Sequence, residues 1–247
     1  MKSLLDEQID IYNRPEFIPL DPISIPHRFQ KKEDIEISAF FAASFAWGQR
    51  VTIINKTNDL MERMDNAPYD FILNHDDRDL RRMLGFVHRT FNDTDLFYFI
   101  EALRNIYKTE GGLENAFSYK NLSAMDCISA FRKIFLQYDA PLRTQKHISD
   151  PNRGASAKRL NMYLRWMVRN DDQGVDFGIW KGLKSSVLSV PLDVHTGNVA
   201  RKLGLLSREQ NDRRAVEELD QMLRKFDKED PVKYDFALFG MGVSGFL

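Results

Sequence analysis

The sequence predicts an all-α fold. Apolar residues recur at the three- and four-residue spacing of helices along most of the 247 residues, and no run of alternating β-branched residues lies between hairpin turns. A hydrophobic fraction of 43% and a charged fraction of 29% are ordinary for a globular protein. A chain of this length can bury a sizeable core, so we expect a single all-α unit over residues 1–247, folded as one large domain or as two helical lobes.

Five helices are expected in the first half of the chain. The run at residues 35–46 is apolar on most sides, which is typical of a helix buried at the centre of a fold, and Gly48 ends or kinks it. The helix that follows is amphipathic and stops before Pro68. This helix is expected at residues 51–64, and three further helices are expected at residues 77–85, 94–108 and 123–135.

The clearest predicted loop covers residues 136–157. Pro141, Pro151 and Gly154 interrupt helical structure there, together with several small polar residues. Any boundary between two lobes is expected near this loop.

Basic residues are concentrated in residues 141–170. This window holds seven basic residues and one acid, Asp150, a net charge of +6, whereas the whole chain carries −1. A phosphate backbone is the partner that such a patch favours, and the alternative is a face balanced by acids from elsewhere in the chain. The seven are Arg143, Lys146, Arg153, Lys158, Arg159, Arg165 and Arg169.

The helix expected at residues 157–170 has an apolar and a cationic side. On a helical wheel, Lys158, Arg165 and Arg169 share one face, broadly opposite the apolar residues. We therefore expect one side to pack and the other to present a line of cations. Lys158 stands at the helix start, where its amine is a candidate nucleophile; the alternative is an ordinary surface lysine.

Within residues 190–204, a single carboxylate, Asp193, marks the start of a helix that Gly204 ends. Asp193 follows a short extended approach and suits the N-cap, because its oxygens accept the unpaired N–H groups of the first turn. Gly204 suits the position after the helix, where a left-handed backbone is needed. An ionised carboxylate held there can stabilise a developing positive charge. The alternative is that Asp193 only caps its helix.

Other residue patterns argue against disulfides, metal sites and a nucleotide-binding loop. Cys127 is the one cysteine and lies in an apolar run, so we expect no disulfide and no iron–sulfur or multi-cysteine metal site. The five histidines are scattered, so we expect no metal and no cofactor. The glycine-rich residues 240–245 follow an apolar helical run and predict a close-packed helix end rather than a nucleotide loop. Neither a signal-like start nor a long uncharged apolar run is present, which favours a cytoplasmic protein with no membrane partner.

Two families share motifs with this chain. The run Ser-Val-Pro-Leu-Asp-Val-His at residues 189–195, followed by Val-Ala-Arg-Lys-Leu-Gly-Leu at 199–205, resembles the aspartate segment of the helix-hairpin-helix DNA glycosylases. Nearly the full chain resembles an uncharacterised bacterial family known only as a domain of unknown function. The runs that carry this second resemblance are residues 154–162, 164–169 and 230–238, with the Asp193 segment.

The glycosylase resemblance implies an all-α fold of two lobes with a cleft, and an enzyme that flips a damaged base out of double-stranded DNA and cuts its N-glycosidic bond. Asp193 matches the catalytic aspartate of that family. Bifunctional members add a lysine that forms a Schiff base and gives AP lyase activity, and Lys158 is our candidate, in an arrangement similar to the archaeal 8-oxoguanine DNA glycosylases. The expected substrate is therefore an oxidised purine. His195 is a candidate phosphate contact, and four arginines are candidate phosphate contacts or structural partners, namely Arg153, Arg159, Arg165 and Arg169.

The sequence departs from the glycosylases at the hairpin. Residues 171–178 are acidic and lack the Gly-x-Gly turn whose N–H groups hold a phosphate. Lys181 and Lys184 are competing candidates for the nucleophile. Two other functions stay open: a non-catalytic nucleic-acid-binding relative on the same scaffold, and a helical protein–protein interaction module.

Overall fold

The computed structural model describes residues 1–119 and 121–245, and its fold is all-α, as the sequence predicts. The only strands within these ranges are β1 (Val87–His88) and β2 (Phe91–Asn92), which pair antiparallel. The helices are α1 (Lys2–Tyr12), α2 (Lys32–Phe45), α3 (Arg50–Arg63), α4 (Pro68–Asn74), α5 (Asp77–Arg81), α6 (Asp93–Thr109), α7 (Leu113–Phe117), α8 (Ala124–Phe135), α9 (Leu142–Gln145), α10 (Lys158–Val168), α11 (Val194–Lys202), α12 (Arg213–Phe226) and α13 (Tyr234–Ser244).

The chain divides into two compact units. Unit 1 comprises Met1–Ile18, Lys120–Ser129 and Asp150–Leu247, and unit 2 comprises Pro19–Tyr119 and Ala130–Ser149. One division, between Ser149 and Asp150, falls inside the loop expected at residues 136–157. That stretch also carries the single turn of α9 and a 3₁₀ turn at Pro151–Arg153.

Helix α2 is the central element of unit 2. Its residues from Ile35 to Phe45 are all buried, which explains why its sequence is apolar on most sides. Aromatic rings surround it, with Phe40 packed 5.9 Å from Phe99 between ring centroids. The predicted stop is confirmed, because Gly48 adopts a left-handed φ of 106° shortly after the helix ends.

Helices α1, α11, α12 and α13 surround the core of unit 1, which includes Val190, Leu192 and Val199 near the predicted aspartate. Helix α1 packs closely on α13 at Gly240, where a Cβ atom would lie 2.2 Å from the ring of Tyr12. The glycine-rich residues 240–245 are thus a close-packed helix end, as predicted.

Helix lengths bear on the expected lack of a membrane partner. The longest described helix, α6, has 17 residues, and a bilayer span needs about 20 apolar residues. No helix in the described part of the chain is both long enough and apolar enough to cross a membrane.

Candidate functional site

Lys158 is the first residue of α10. Ala157 caps the helix in a left-handed conformation, with φ of 47° and ψ of 40°. Such a conformation costs a non-glycine residue about 1–3 kcal/mol and persists only where the surrounding structure holds it. The Ala157 carbonyl accepts hydrogen bonds from the N–H groups of Leu160 at 3.1 Å and Asn161 at 3.0 Å. The start of α10, and with it the base of the Lys158 side chain, is therefore fixed.

Asp193 is the N-cap of α11, as the sequence predicts. Its Oδ1 accepts a hydrogen bond from the N–H of Thr196 at 2.9 Å. The other end is also confirmed: Gly204 has a left-handed φ of 70°, and the N–H of Leu205 donates to the Ala200 carbonyl at 2.8 Å in a Schellman motif. Both ends of α11 are thus defined by the residues that the sequence singled out.

The structure brings Lys158 and Asp193 together. The Lys158 Nζ lies 3.7 Å from Asp193 Oδ2, and the side chains are 27% and 19% exposed. Both residues belong to unit 1. An amine and a carboxylate therefore meet at a position that solvent and a ligand can reach.

Asn211 fixes the backbone of Asp193, a role that sequence reasoning missed. Its Nδ2 donates to the Asp193 carbonyl at 3.0 Å, and its Oδ1 accepts from Arg201 Nη2 at 2.6 Å. The amide reaches the backbone because Gly197 leaves room: a Cβ there would lie 2.8 Å from Asn211 Oδ1. No motif around Asn211 signals this contact.

Asp220 holds the approach to Asp193. Its Oδ1 accepts a hydrogen bond from the Val190 N–H at 2.9 Å, three residues before the aspartate. Asp220 is 5% exposed, and burial raises the pKa of its carboxyl to about 6.

Asp220→Asn is expected to gain stability relative to the native protein as pH rises from 4 to 7. The native carboxyl has a pKa above its unfolded value, so its contribution to stability is present below about pH 4 and is lost as pH rises through about 6. Asparagine keeps an acceptor for Val190 and does not titrate. We expect a relative change of about 3 kcal/mol in urea unfolding. Asp212→Asn is the control, because hydrogen bonding to Arg208 lowers the pKa of Asp212 to about 2. Its contribution therefore changes below about pH 4, and its stability relative to the native protein should stay nearly constant from pH 4 to 7. Parallel pH profiles for native protein and Asp220→Asn would contradict this account.

A buried ionic network lies behind the Lys158–Asp193 pair. Thr196, whose amide binds Asp193, directs its Oγ1 at Asp235 Oδ1, 3.5 Å away. Asp235 pairs with Arg165, and burial raises the pKa of its carboxyl to about 6. Arg165 Nε lies 3.3 Å from Asp176 Oδ1. The network therefore links the base of α11 to α10 and α13.

The prediction that α10 presents a line of cations on one face is wrong. Arg165 and Arg169 are 4% and 2% exposed. Arg169 lies 2.7 Å from Asp171, 3.1 Å from Asp176 and 2.9 Å from Asp230. Both guanidinium groups are thus covered by acids from other segments, which matches the alternative that they are structural partners rather than phosphate contacts.

The other predicted contacts differ in exposure. Arg153 and His195 are exposed. Arg159 is partly buried, and burial lowers its pKa to about 10. Of the competing lysines, Lys181 donates from Nζ to the Gly178 carbonyl at 2.8 Å, and Lys184 is exposed.

The acidic segment at residues 171–178 does not form a helix-hairpin-helix. Residues 169–184 contain no helix. The segment folds back on the end of α10, with the N–H of Phe177 donating to the Trp166 carbonyl at 2.8 Å and that of Trp180 to Met167 at 2.9 Å. Its acids neutralise Arg165 and Arg169, so this segment offers no phosphate-binding turn.

Cys127 is free and buried. Within residues 1–119 and 121–245, no three side chains of His, Cys, Asp or Glu are grouped as metal ligands.

One family covers most of the chain. A family model described as "Protein of unknown function (DUF2400)" matches residues 21–244. No curated protein matches the chain, and no solved structure does.

Proposed function

Because the chain belongs to the DUF2400 family, whose function is unknown, we propose a function from its own residues: a DNA N-glycosylase with AP lyase activity that removes an oxidised purine such as 8-oxoguanine. The observation that carries the proposal is the 3.7 Å separation between the Lys158 amine and the Asp193 carboxylate. The proposed substrate is double-stranded DNA with a damaged base. The proposed location is the cytoplasm, where that DNA is accessible.

Each member of the pair has a role in this reaction. As the C1′–N bond of the damaged nucleoside breaks, the sugar gains oxocarbenium character, which the Asp193 carboxylate stabilises. Lys158 gives up its ammonium proton to solvent before it attacks, so the Asp193 carboxylate 3.7 Å away keeps its negative charge. Lys158 Nζ then bonds to C1′ as the C1′–N bond breaks, and one of the two amine protons leaves with the purine. Opening of the sugar ring breaks the C1′–O4′ bond, O4′ takes the other amine proton, and an imine forms.

The surroundings support these roles. Ala157 and Asn211 hold the two backbones from which the reactive side chains extend. Partial exposure leaves the pair accessible to a flipped nucleoside. Arg153 and His195 are exposed polar groups of the same unit that are available to phosphates.

Borohydride trapping tests the proposal. We expect the native protein to form a covalent adduct with a duplex that carries 8-oxoguanine, because borohydride reduces the imine to a stable amine. Lys158→Ala is expected to abolish the adduct. Lys181→Ala and Lys184→Ala are matched controls that remove the same charge nearby and should retain it. Circular dichroism checks that every variant is folded.

Three outcomes would contradict the proposal. An adduct that survives in Lys158→Ala but is lost in Lys181→Ala or Lys184→Ala would assign the nucleophile elsewhere. Salt-sensitive DNA binding without adduct or base release would favour a non-catalytic nucleic-acid-binding protein. Absence of DNA binding at low salt would favour a helical protein–protein interaction module.

A further inference from the structure

A surface depression of about 370 Å³ lies along α11 in unit 1. Six residues line it, and none of them is acidic: His195, Asn198, Val199, Arg201, Lys202 and Gly242. The lining therefore combines cationic and amide hydrogen-bond donors with an apolar residue, and none of the six lining residues carries a negative charge.

The donors of this depression form one stripe of α11. His195, Asn198 and Lys202 are spaced three and four residues apart, so they share one face of the helix, and all three are exposed. Arg201 borders the stripe and is fixed, because its Nε donates to the Arg208 carbonyl at 2.8 Å. The stripe presents one cationic group, Lys202, together with the His195 imidazole and the Asn198 amide toward solvent.

The wall of the depression is rigid. Helix α13 approaches α11 so closely that a Cβ on Gly242 would lie 2.9 Å from His195 Cβ. The His195 ring sits edge-on to Phe239 at 6.2 Å between centroids. Val199 is 3% exposed and packs into the core beneath. His195 and Arg201 are therefore held in place before a ligand binds, which lowers the entropy cost of binding.

We infer that this depression binds phosphodiester groups of the DNA strand, two to four nucleotides from the nucleoside at Asp193. The inference rests on the proposed function for the position of that nucleoside. Asn198 and Lys202 follow Asp193 by five and nine residues, or about 7.5 and 13.5 Å along the helix axis at 1.5 Å per residue. Duplex DNA advances about 3.4 Å per nucleotide of each strand, so a strand that follows the axis of α11 from Asp193 places phosphates two to four nucleotides away opposite these donors.

The test measures binding of undamaged duplex DNA by fluorescence anisotropy from low to moderate salt. One lost phosphate contact lowers the slope of log K against log salt by about 0.9. We expect this change and weaker binding for Lys202→Ala. Lys225→Ala is the matched control, because Lys225 is an exposed lysine of the same unit on α12, and its slope should equal that of the native protein.

A length series locates the contact. Duplexes shortened to three nucleotides on one side of the lesion lose the phosphate opposite Lys202 and keep the one opposite Asn198. They should bind native protein more weakly and Lys202→Ala no worse than before. Equal salt slopes for Lys202→Ala and Lys225→Ala would overturn the inference even if the borohydride adduct forms. Conversely, a slope change specific to Lys202→Ala without any adduct would refute the proposed catalysis and leave a DNA-binding surface on α11.

Discussion

Asp193→Asn is expected to slow release of the damaged base by about 10²–10³-fold, the effect typical of removing one electrostatic stabiliser from an active site. The substitution removes the negative charge beside Lys158 Nζ and keeps the side-chain oxygen that accepts the Thr196 N–H at 2.9 Å. Asparagine caps helices about as well as aspartate. The loss should therefore appear in single-turnover base release and not in the melting temperature.

Asp193→Ala separates the two roles of this residue. It lacks both charge and cap, so we expect the same loss of activity together with about 1 kcal/mol of lost stability. If Asp193→Asn released the base within threefold of the native rate, Asp193 would be a helix cap only.

Arg165→Met is expected to destabilise unit 1 by about 3–5 kcal/mol, because it leaves buried carboxylates without a counter-charge. Arg165 pairs with Asp176 and Asp235 and lies 4.3 Å over the Phe236 ring. Methionine replaces the packing but not the charge. Urea unfolding at pH 7.5 measures the difference.

The pH dependence identifies the cause of that loss. Burial already raises the pKa of Asp235 to about 6, and removal of Arg165 raises it further. Asp235 is then neutral at pH 5, so the deficit should shrink there, and Asp235→Asn should recover part of it at pH 7.5. Arg213→Met is the control: its surface ion pairs with Asp126 and Glu217 are worth at most about 1 kcal/mol. If Arg165→Met lost no more unfolding free energy than Arg213→Met, the buried network would not depend on the charge of Arg165.

Local signals were sufficient for several helices, among them α2, α3, α6, α8 and α10, and for both ends of α11, whereas α1, α4, α7, α9 and α12 were not predicted. Asp193 and Gly204 act on backbone groups within five residues of themselves, so their residue types predict their conformations. The all-round apolar character of α2 likewise predicts its burial. These features are decided by neighbours in the sequence.

The environment of α10 could not be predicted in this way. A helical wheel shows that Arg165 and Arg169 share a face, but it does not show what covers that face. Their partners Asp230 and Asp235 are 61 and 70 residues away. One signal was present: Asp235 lies within an apolar helical run, and an acid in such a run is almost always paired when buried.

Asn211 and Asp220 illustrate a second limit. Asn211 contacts the Asp193 carbonyl from 18 residues downstream. Asp220 contacts the Val190 N–H from 30 residues downstream. An isolated Asn or Asp in a polar stretch carries no information about a remote backbone group, so these supports become visible only in the folded chain.

The pairing of α1 with α13 has a consequence for synthesis of the protein. Tyr12 and Ser244, joined by a 2.9 Å hydrogen bond, are separated by 232 positions. At about 5–20 residues per second, a ribosome needs roughly 10–50 seconds to make the intervening chain. Helix α1 therefore emerges long before its partner, and its apolar side stays exposed or is shielded by a chaperone in the interval. All of unit 2 is translated during that time and is free to fold first.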